Sequence, residues 1–379
     1  MIYVVQPGDT VFQLARRFGV SQADIVYLNQ IPAPFDLAVG QTLWIGARTV
    51  PGTPEIQVNG FAYPYISPWV LEQTLPYLSL LSVFSYGFTP DGDLLPPPLT
   101  DSRLLERSKA NNVETAMVLA PIGADGMFSN LLIHQVVSNP AARARLLSQA
   151  ADTMQEKGYR ELNIDFEYVL AGNRDDFSSF VEQAAETLHP LGFRVSVDLA
   201  PKTSADQPGT LYEGMDYARL GAAADRVLLM TYEWGYKYGP PQAVAPIDPV
   251  RQVVDYALTE IPAEKISLGL ANYGYDWPLP FVQNRTAART LGLVEAVELA
   301  KRVRAEIHFD EKAQSPWFEY TNLGIRHIVW FEDLRSWQAK FDLIREKKLT
   351  GLGIWQIMQL YRSGLALIGD QFEPESPAP

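Results

Sequence analysis

Leu162-Asn163-Ile164-Asp165-Phe166-Glu167-Tyr168 alternates apolar side chains with acidic or amide ones at every step. Alternation is the period of a β-strand, whose successive side chains point to opposite faces. Asn163, Asp165 and Glu167 therefore share one face. Alone, the pattern fits an ordinary half-buried strand with its acids in water. The flanks change that reading: a helical stretch over residues 141–157, closed by Gly158, precedes it and another follows. Units of strand and then helix build parallel sheets whose strands are covered on both faces. Three adjacent acid or amide groups must then point into helix packing or toward an open end of the sheet. Only the open end accommodates them cheaply, because burying an unpaired charge is costly.

The strand-then-helix pattern occurs eight times beyond residue 56. The candidate strands are residues 57–62, 78–86, 114–120, 161–168, 194–200, 226–232, 265–273 and 351–357, several of them continuous apolar runs. Eight such units predict an α/β (β/α)8 TIM barrel. The interval between strands 7 and 8 is long and rich in strand-like aromatics, so a small α+β insertion is expected at about 276–330, with residues 332–347 as the closing helix. The expected organisation is a small module over 1–46, a semi-rigid linker over 47–55 holding Pro51, Gly52 and Pro54, the barrel over 56–369, and a flexible tail over 370–379.

The composition narrows the function. The chain is 47% hydrophobic with a formal net charge of -13 and has no basic run, which disfavours nucleic acid and anionic membranes as partners. With no cysteine there are no disulfides, thiolate metal sites or thiol catalysis. No cleavable signal peptide is visible at the start, and no apolar run approaches the ~18 residues that span a bilayer. His134, His189, His308 and His327 lack metal-ligand spacing, so neither metal nor cofactor is expected.

Residues 2–46 read as strand, helix, helix, strand. A strand at 2–5 is followed by the turn Pro7-Gly8-Asp9, a helix capped by Asp9 or Thr10, a second helix capped by Ser21, and a closing strand at 41–45. Pro7-Gly8-Asp9-Thr10, Ala15, Phe18, Val20, Ile25, Asn29 and the ending Gly40-Gln41-x-Leu43-x-Ile45 resemble the LysM module over nearly its whole length. That resemblance implies binding of N-acetylglucosamine-containing glycan, peptidoglycan or chitin, beside the first helix.

Catalytic residues of this barrel fold come from the C-terminal ends of its strands. Those ends carry Tyr63, Tyr65, Tyr86, Asp165, Glu167, Asp198, Met230, Tyr232, Glu233, Asn272, Tyr273, Trp355 and Gln356. Acids among aromatics fit a sugar cleft, in which rings stack on pyranose faces while carboxylates hold hydroxyls. Asp198 can equally cap the loop after its strand. Three motifs, Asn163-Ile-Asp165-Phe-Glu167, Met230-Thr-Tyr232 and Trp355, resemble the fourth-, sixth- and eighth-strand signatures of family 18 glycoside hydrolases. Residues 230–235, 273–277 and 330–333 are most similar to the spore cortex-lytic N-acetylglucosaminidases of that family.

The resemblance implies a retaining, substrate-assisted hydrolase of β-1,4 bonds after N-acetylglucosamine in peptidoglycan, met by a monomer at the spore coat, cortex or cell wall. Glu167 would be the general acid/base, Asp165 would orient the 2-acetamido group and stabilise the oxazolinium, and Tyr232 would assist it. Asn163, Trp355, Met230, Glu233, Asn272, Tyr273, Tyr86, Asp276 and Glu332 are the expected substrate-binding residues, with Trp355 as the floor. Many chitinases have Asp where this chain has Asn163, and an amide cannot share a proton with Asp165, so coupling between paired carboxylates is expected to be absent. Two alternatives remain at this level: a chitinase, and a non-catalytic wall-binding lectin. Intact Asp165, Glu167 and Tyr232 disfavour the lectin.

Overall fold

The computed structural model describes residues 1–46 and 53–376. In the N-terminal module Ile2–Val4 pairs antiparallel with Thr42–Trp44, and two helices, Val11–Phe18 and Gln22–Leu28, lie between them. Thr10 Oγ1 accepts from Gln13 N at 3.2 Å and Ser21 Oγ from Ala23 N at 3.1 Å, satisfying amides that helix starts leave unpaired. Val5, Val11, Leu14, Ala15, Ile25, Ile31, Leu43 and Ile45 form its core.

Eight parallel strands close the barrel: Glu55–Ala62, Leu80–Phe88, Glu114–Leu119, Glu161–Ile164, Arg194–Leu199, Arg226–Leu229, Ile266–Ala271 and Gly351–Trp355. The first pairs with both the second and the eighth, which removes every sheet edge. Near-continuous burial along these strands explains their apolar runs, since one face meets the barrel interior and the other the helices. Phe61, Val118 and Leu228 fill the interior beneath Phe84 and Trp355. Phe166 faces outward, 5.7 Å and 5.4 Å from Phe177 and Phe180 of the helix Arg174–Leu188.

The α+β insertion follows the seventh strand. Its five-stranded sheet runs in the order Arg289–Leu291, Gly274–Leu279, Ile325–Trp330, Ser315–Asn322, His308–Asp310, with the helix Leu293–Val303. The module sits on this part of the chain. Gly40, at φ +82, lies so close to Ile307 that a Cβ would stand 1.8 Å from the Ile307 carbonyl oxygen. Ile307 N donates to Val39 O at 2.9 Å, Arg362 N donates to Gln30 Oε1 at 2.7 Å, and the Arg362 guanidinium lies 4.1 Å from the Tyr27 ring centroid. Ala38 and Trp44 belong to the main hydrophobic core.

Two expectations change here. Of the linker at 47–55, residues 47–52 lie outside the described residues, and Glu55 already opens the first barrel strand. The tail from residue 370 is tied down through Ser376. Glu373–Pro374 pairs with Glu55 and Ile56, and Arg226 Nη2 donates to both Glu375 oxygens at 2.8 and 2.6 Å. Phe372 is buried against Phe341, at 5.1 Å. Pro374 lies within this strand pair, and a buried aromatic and an ion pair to both carboxylate oxygens hold the segment across the base of the barrel. Residues 377–379 lie outside the described residues. No helix among the described residues is long and apolar enough to cross a membrane.

Candidate active site

The fourth strand stops at Ile164, and the residues that carry its alternation into the barrel mouth follow it. Asp165 is buried at 6% exposure, Glu167 is half-buried and Tyr168 is exposed, at φ 56. Asp165 N donates to Leu119 O at 3.0 Å, continuing the sheet one step beyond the strand, so Asp165 is fixed by backbone while its side chain faces the mouth. Asp165 Oδ1 has no hydrogen-bond partner among the described residues.

Several carboxyl groups share this low-dielectric space. Burial raises the Asp165 carboxyl well above its ordinary range, and the charges of Glu167 and Asp198 add to the effect. Burial likewise raises Glu167, helped by the charge of Glu233. Glu167 therefore holds its proton to higher pH than a free glutamic acid does, as a proton donor should. Burial pushes the Tyr232 hydroxyl far up, with Asp198, Asp165, Glu167 and Glu233 all opposing its ionisation. It stays a neutral donor.

Aromatic rings line the mouth on both sides of these acids. Trp355 lies 5.0 Å from Phe84, 5.8 Å from Phe61 and 6.3 Å from Tyr63, each in edge geometry, and Tyr63 stacks on Tyr65 at 5.2 Å. Burial pushes the Tyr63 hydroxyl up to about 12, and the charges of Tyr65 and Asp165 add to the effect. On the Glu167 side stand the exposed rings of Tyr168, Tyr236 and Tyr238. Glu233, at φ 67, accepts from the Tyr273 hydroxyl at 2.5 Å and the Tyr275 hydroxyl at 2.8 Å. Met230 follows the sixth strand and continues its pairing, its N–H donating to Leu199 O at 3.0 Å, so it keeps the parity of Leu228, which packs inside the barrel, and that alternation aims it at the mouth.

Asp165, Glu167, Tyr232, Glu233, Tyr273, Met230 and Trp355 thus converge. Four other candidates do not reach the mouth. Tyr86 is buried among helices, its hydroxyl donating to Asp101 Oδ2 at 2.5 Å, with Tyr159 and Lys157 on the same carboxylate. The cause is a register shift between Val83 and Tyr86, which upsets the strand's parity and leaves Phe84 facing the mouth. Asp276 lies on the opposite face of the insertion sheet from Tyr275, where it accepts from Tyr320 at 2.7 Å and pairs with His327 at 2.9 Å. Glu332 forms a buried ion pair with Lys340 at 2.8 Å and lines a cavity of about 30 Å³ under the N-terminal module. Asn272 spends its amide on the Gln356 and Gln359 carbonyls, at 3.0 and 2.9 Å, and so braces the loop behind Trp355. Asn163 is buried beneath the mouth, its amide directed at the fifth strand.

Tyr63 and Asp198 also stand at the site; the sequence places both in the strand-end set without a catalytic or binding assignment of their own, and offers Asp198 a loop-capping role as well. Both fall at predicted strand ends, which was the available signal. Among the described residues no group of three or more His, Asp or Glu side chains is arranged to hold a metal ion.

A closed (β/α)8 barrel with paired acids and an aromatic floor at its mouth, joined to a small glycan-module fold, defines a carbohydrate-active hydrolase. The chain belongs to the glycosyl hydrolases family 18, whose model matches residues 64–359, and carries a LysM domain over residues 3–46. It is 38% identical to the cortical fragment-lytic enzyme of Bacillus subtilis (strain 168), over 98% of each chain. Its fold is similar to the crystal structure of the spore cortex-lytic enzyme SleL of Bacillus megaterium QM B1551, with a TM-score of 0.82, 36% identity and coverage of 100% of this chain and 87% of that one. SleL of Bacillus cereus also gives a TM-score of 0.82, at 31% identity, over 99% and 87% of the respective chains. The chain is therefore a family 18 glycosidase related to spore cortex-lytic enzymes.

Proposed function

We propose that the chain is a retaining β-N-acetylglucosaminidase that cuts β-1,4 bonds after N-acetylglucosamine in peptidoglycan of the spore cortex. The observation that carries this reading is the division between two acids two residues apart: a half-buried Glu167 whose carboxyl is raised by burial, and a buried Asp165 with an unpartnered oxygen. Glu167 donates its proton to the glycosidic oxygen as the bond to the anomeric carbon breaks. The substrate's 2-acetamido oxygen attacks that carbon from the opposite face, giving an oxazolinium. Asp165 accepts the acetamido N–H and balances the positive charge, while the Tyr232 hydroxyl donates to the acetamido oxygen. Glu167, now a carboxylate, takes a proton from water, which opens the ring with net retention of configuration.

The cortex as substrate, and a place at the spore cortex or wall, are supported by the names of the relatives and by the LysM domain. The test is digestion of purified cortex and vegetative sacculi, followed by borohydride reduction and mass spectrometry. N-acetylglucosaminitol ends are expected, and muramitol ends would overturn the reading. Chitin oligosaccharides cut as fast as cortex would place the activity among chitinases instead. Glu167→Gln should abolish hydrolysis while leaving glycan binding in place, and Asp165→Ala should also be severely impaired.

A further inference from the structure

Asn163 is the residue of the fourth strand that the sequence explains least, and the structure gives its amide a partner. Asn163 Nδ2 donates to Asp198 Oδ1 at 2.9 Å and to Ser196 Oγ at 3.1 Å; Ser196 Oγ donates in turn to Glu161 Oε1 at 2.6 Å. The two strands run parallel with Asn163 opposite Ser196 and Ile164 opposite Val197. One further step of that register sets Asp165 beside Asp198, both almost fully buried at 6% and 2% exposure. Neighbouring strands lie ~4.8 Å apart, so adjacent side chains on one face are in direct electrostatic contact.

We infer that Asp198 is a positioning residue for Asp165, supplying from the fifth strand the second carboxyl of an acid pair whose usual place on the fourth strand is taken here by the amide of Asn163. This rests on the reading of Asp165 as the group that orients the acetamido function. It also reverses the expectation that an amide at position 163 leaves Asp165 without a coupled carboxyl: the partner comes from across the sheet.

Two carboxyl groups in one buried site cannot both ionise freely, so they titrate as a unit and retain a proton longer than either would alone. The groups facing Asp198 agree with this. Burial holds its carboxyl up to about 8, opposed by the hydrogen bond from Asn163 and reinforced by the charges of Glu167 and Glu161. Tyr232 stands on the sixth-strand side as a neutral hydroxyl, and Leu228 lies directly opposite. Arg194, at 3.3 Å from Glu161 Oε2, belongs to the base of the sheet. Asp198 in turn raises Asp165. Turnover needs Asp165 anionic as positive charge builds on the sugar, so the acid limb of the turnover profile lies higher in pH than a lone Asp165 would put it.

The test is the pH dependence of kcat for the full chain on solubilised cortex fragments, with four variants: Asp198→Asn, Asn163→Asp, their combination, and Glu167→Gln. Asp198→Asn removes charge but keeps an amide able to bond Asn163, and its acid limb should move down by about one pH unit. Asn163→Asp adds a third carboxyl and should move the limb up. The double exchange keeps the interstrand hydrogen bond with donor and acceptor reversed, and should return the limb to its original position. An acid limb unmoved in Asp198→Asn overturns the inference. So does a double exchange that leaves the limb displaced, or a uniform loss of turnover at all pH values, which is what a purely structural residue would give. If Asp198→Asn alone does not fold, as judged by thermal melting, the downward shift on going from Asn163→Asp to the double exchange decides, and no shift there overturns the inference. Activity surviving in Glu167→Gln would instead refute the reading of the site itself.

Discussion

Lys340→Met offers a quantitative test of where Glu332 belongs. Lys340 Nζ lies 2.8 Å from Glu332 Oε2, and both side chains are 1% exposed. Removing the ammonium leaves a carboxylate in the interior, which costs about 3–5 kcal/mol if it stays charged. It can escape that cost by taking a proton. Burial already raises the Glu332 carboxyl, and Lys340 is the strongest influence holding it down, so its loss raises the group further. The folded protein then binds this proton more tightly than the unfolded chain does. Stability therefore falls as pH rises from the ordinary carboxylate value toward the raised one, by about 1.4 kcal/mol per unit. Near pH 5 the variant should lose only about 1 kcal/mol, and near pH 8 about 3–5 kcal/mol. Differential scanning calorimetry across that range should show a melting-temperature deficit that widens with pH, and adding Glu332→Gln should recover most of it. An equal deficit at every pH would refute the reasoning. A raised KM with unchanged melting would return Glu332 to the substrate cleft.

Three further outcomes are expected. Because burial and the Glu233 charge hold the Glu167 proton, activity should fall as pH rises through a value above the usual carboxylate range. Glu233→Gln should move that basic limb to lower pH, and a fixed limb would separate Glu233 from the acid. Tyr232→Phe should cost about 10²–10³ in kcat with little change in KM, by analogy with losing one oxyanion donor; an equal rise in KM would make it a binding group only. Gly40→Ala meets both a left-handed φ and the Ile307 carbonyl, so it should loosen the LysM domain. Limited proteolysis should then release the domain faster, and unchanged cleavage would contradict the tight approach.

Much of this architecture was readable because parallel strands buried on both faces leave apolar runs, and eight of them can be counted. Asp165 and Glu167 were readable because alternation survives past the end of the strand. The misses share a cause: each depends on something that a linear period does not encode. One register irregularity sends Tyr86 into the helices. Asp276 begins a new sheet whose faces are set by strands some fifty residues later, at Tyr320 and His327. Glu332 finds its cation one helix further on, under a domain from the far end of the chain. Asn163 and Asp198 are 35 positions apart, and Arg226 and Glu375 are 149 apart. Neither pairing can be anticipated without the sheet.

The seating of the LysM domain on Ile307, Arg335 and Arg362 has a mechanical consequence. An anchor on a slack tether searches a volume, and the chance that its catalytic partner meets a given bond falls with tether length. Here the LysM domain and the barrel are joined by direct contacts as well as by the chain. On the proposed reading of the domain as a glycan anchor, the contacts that seat it would also set the separation between the point of grip and the point of cutting.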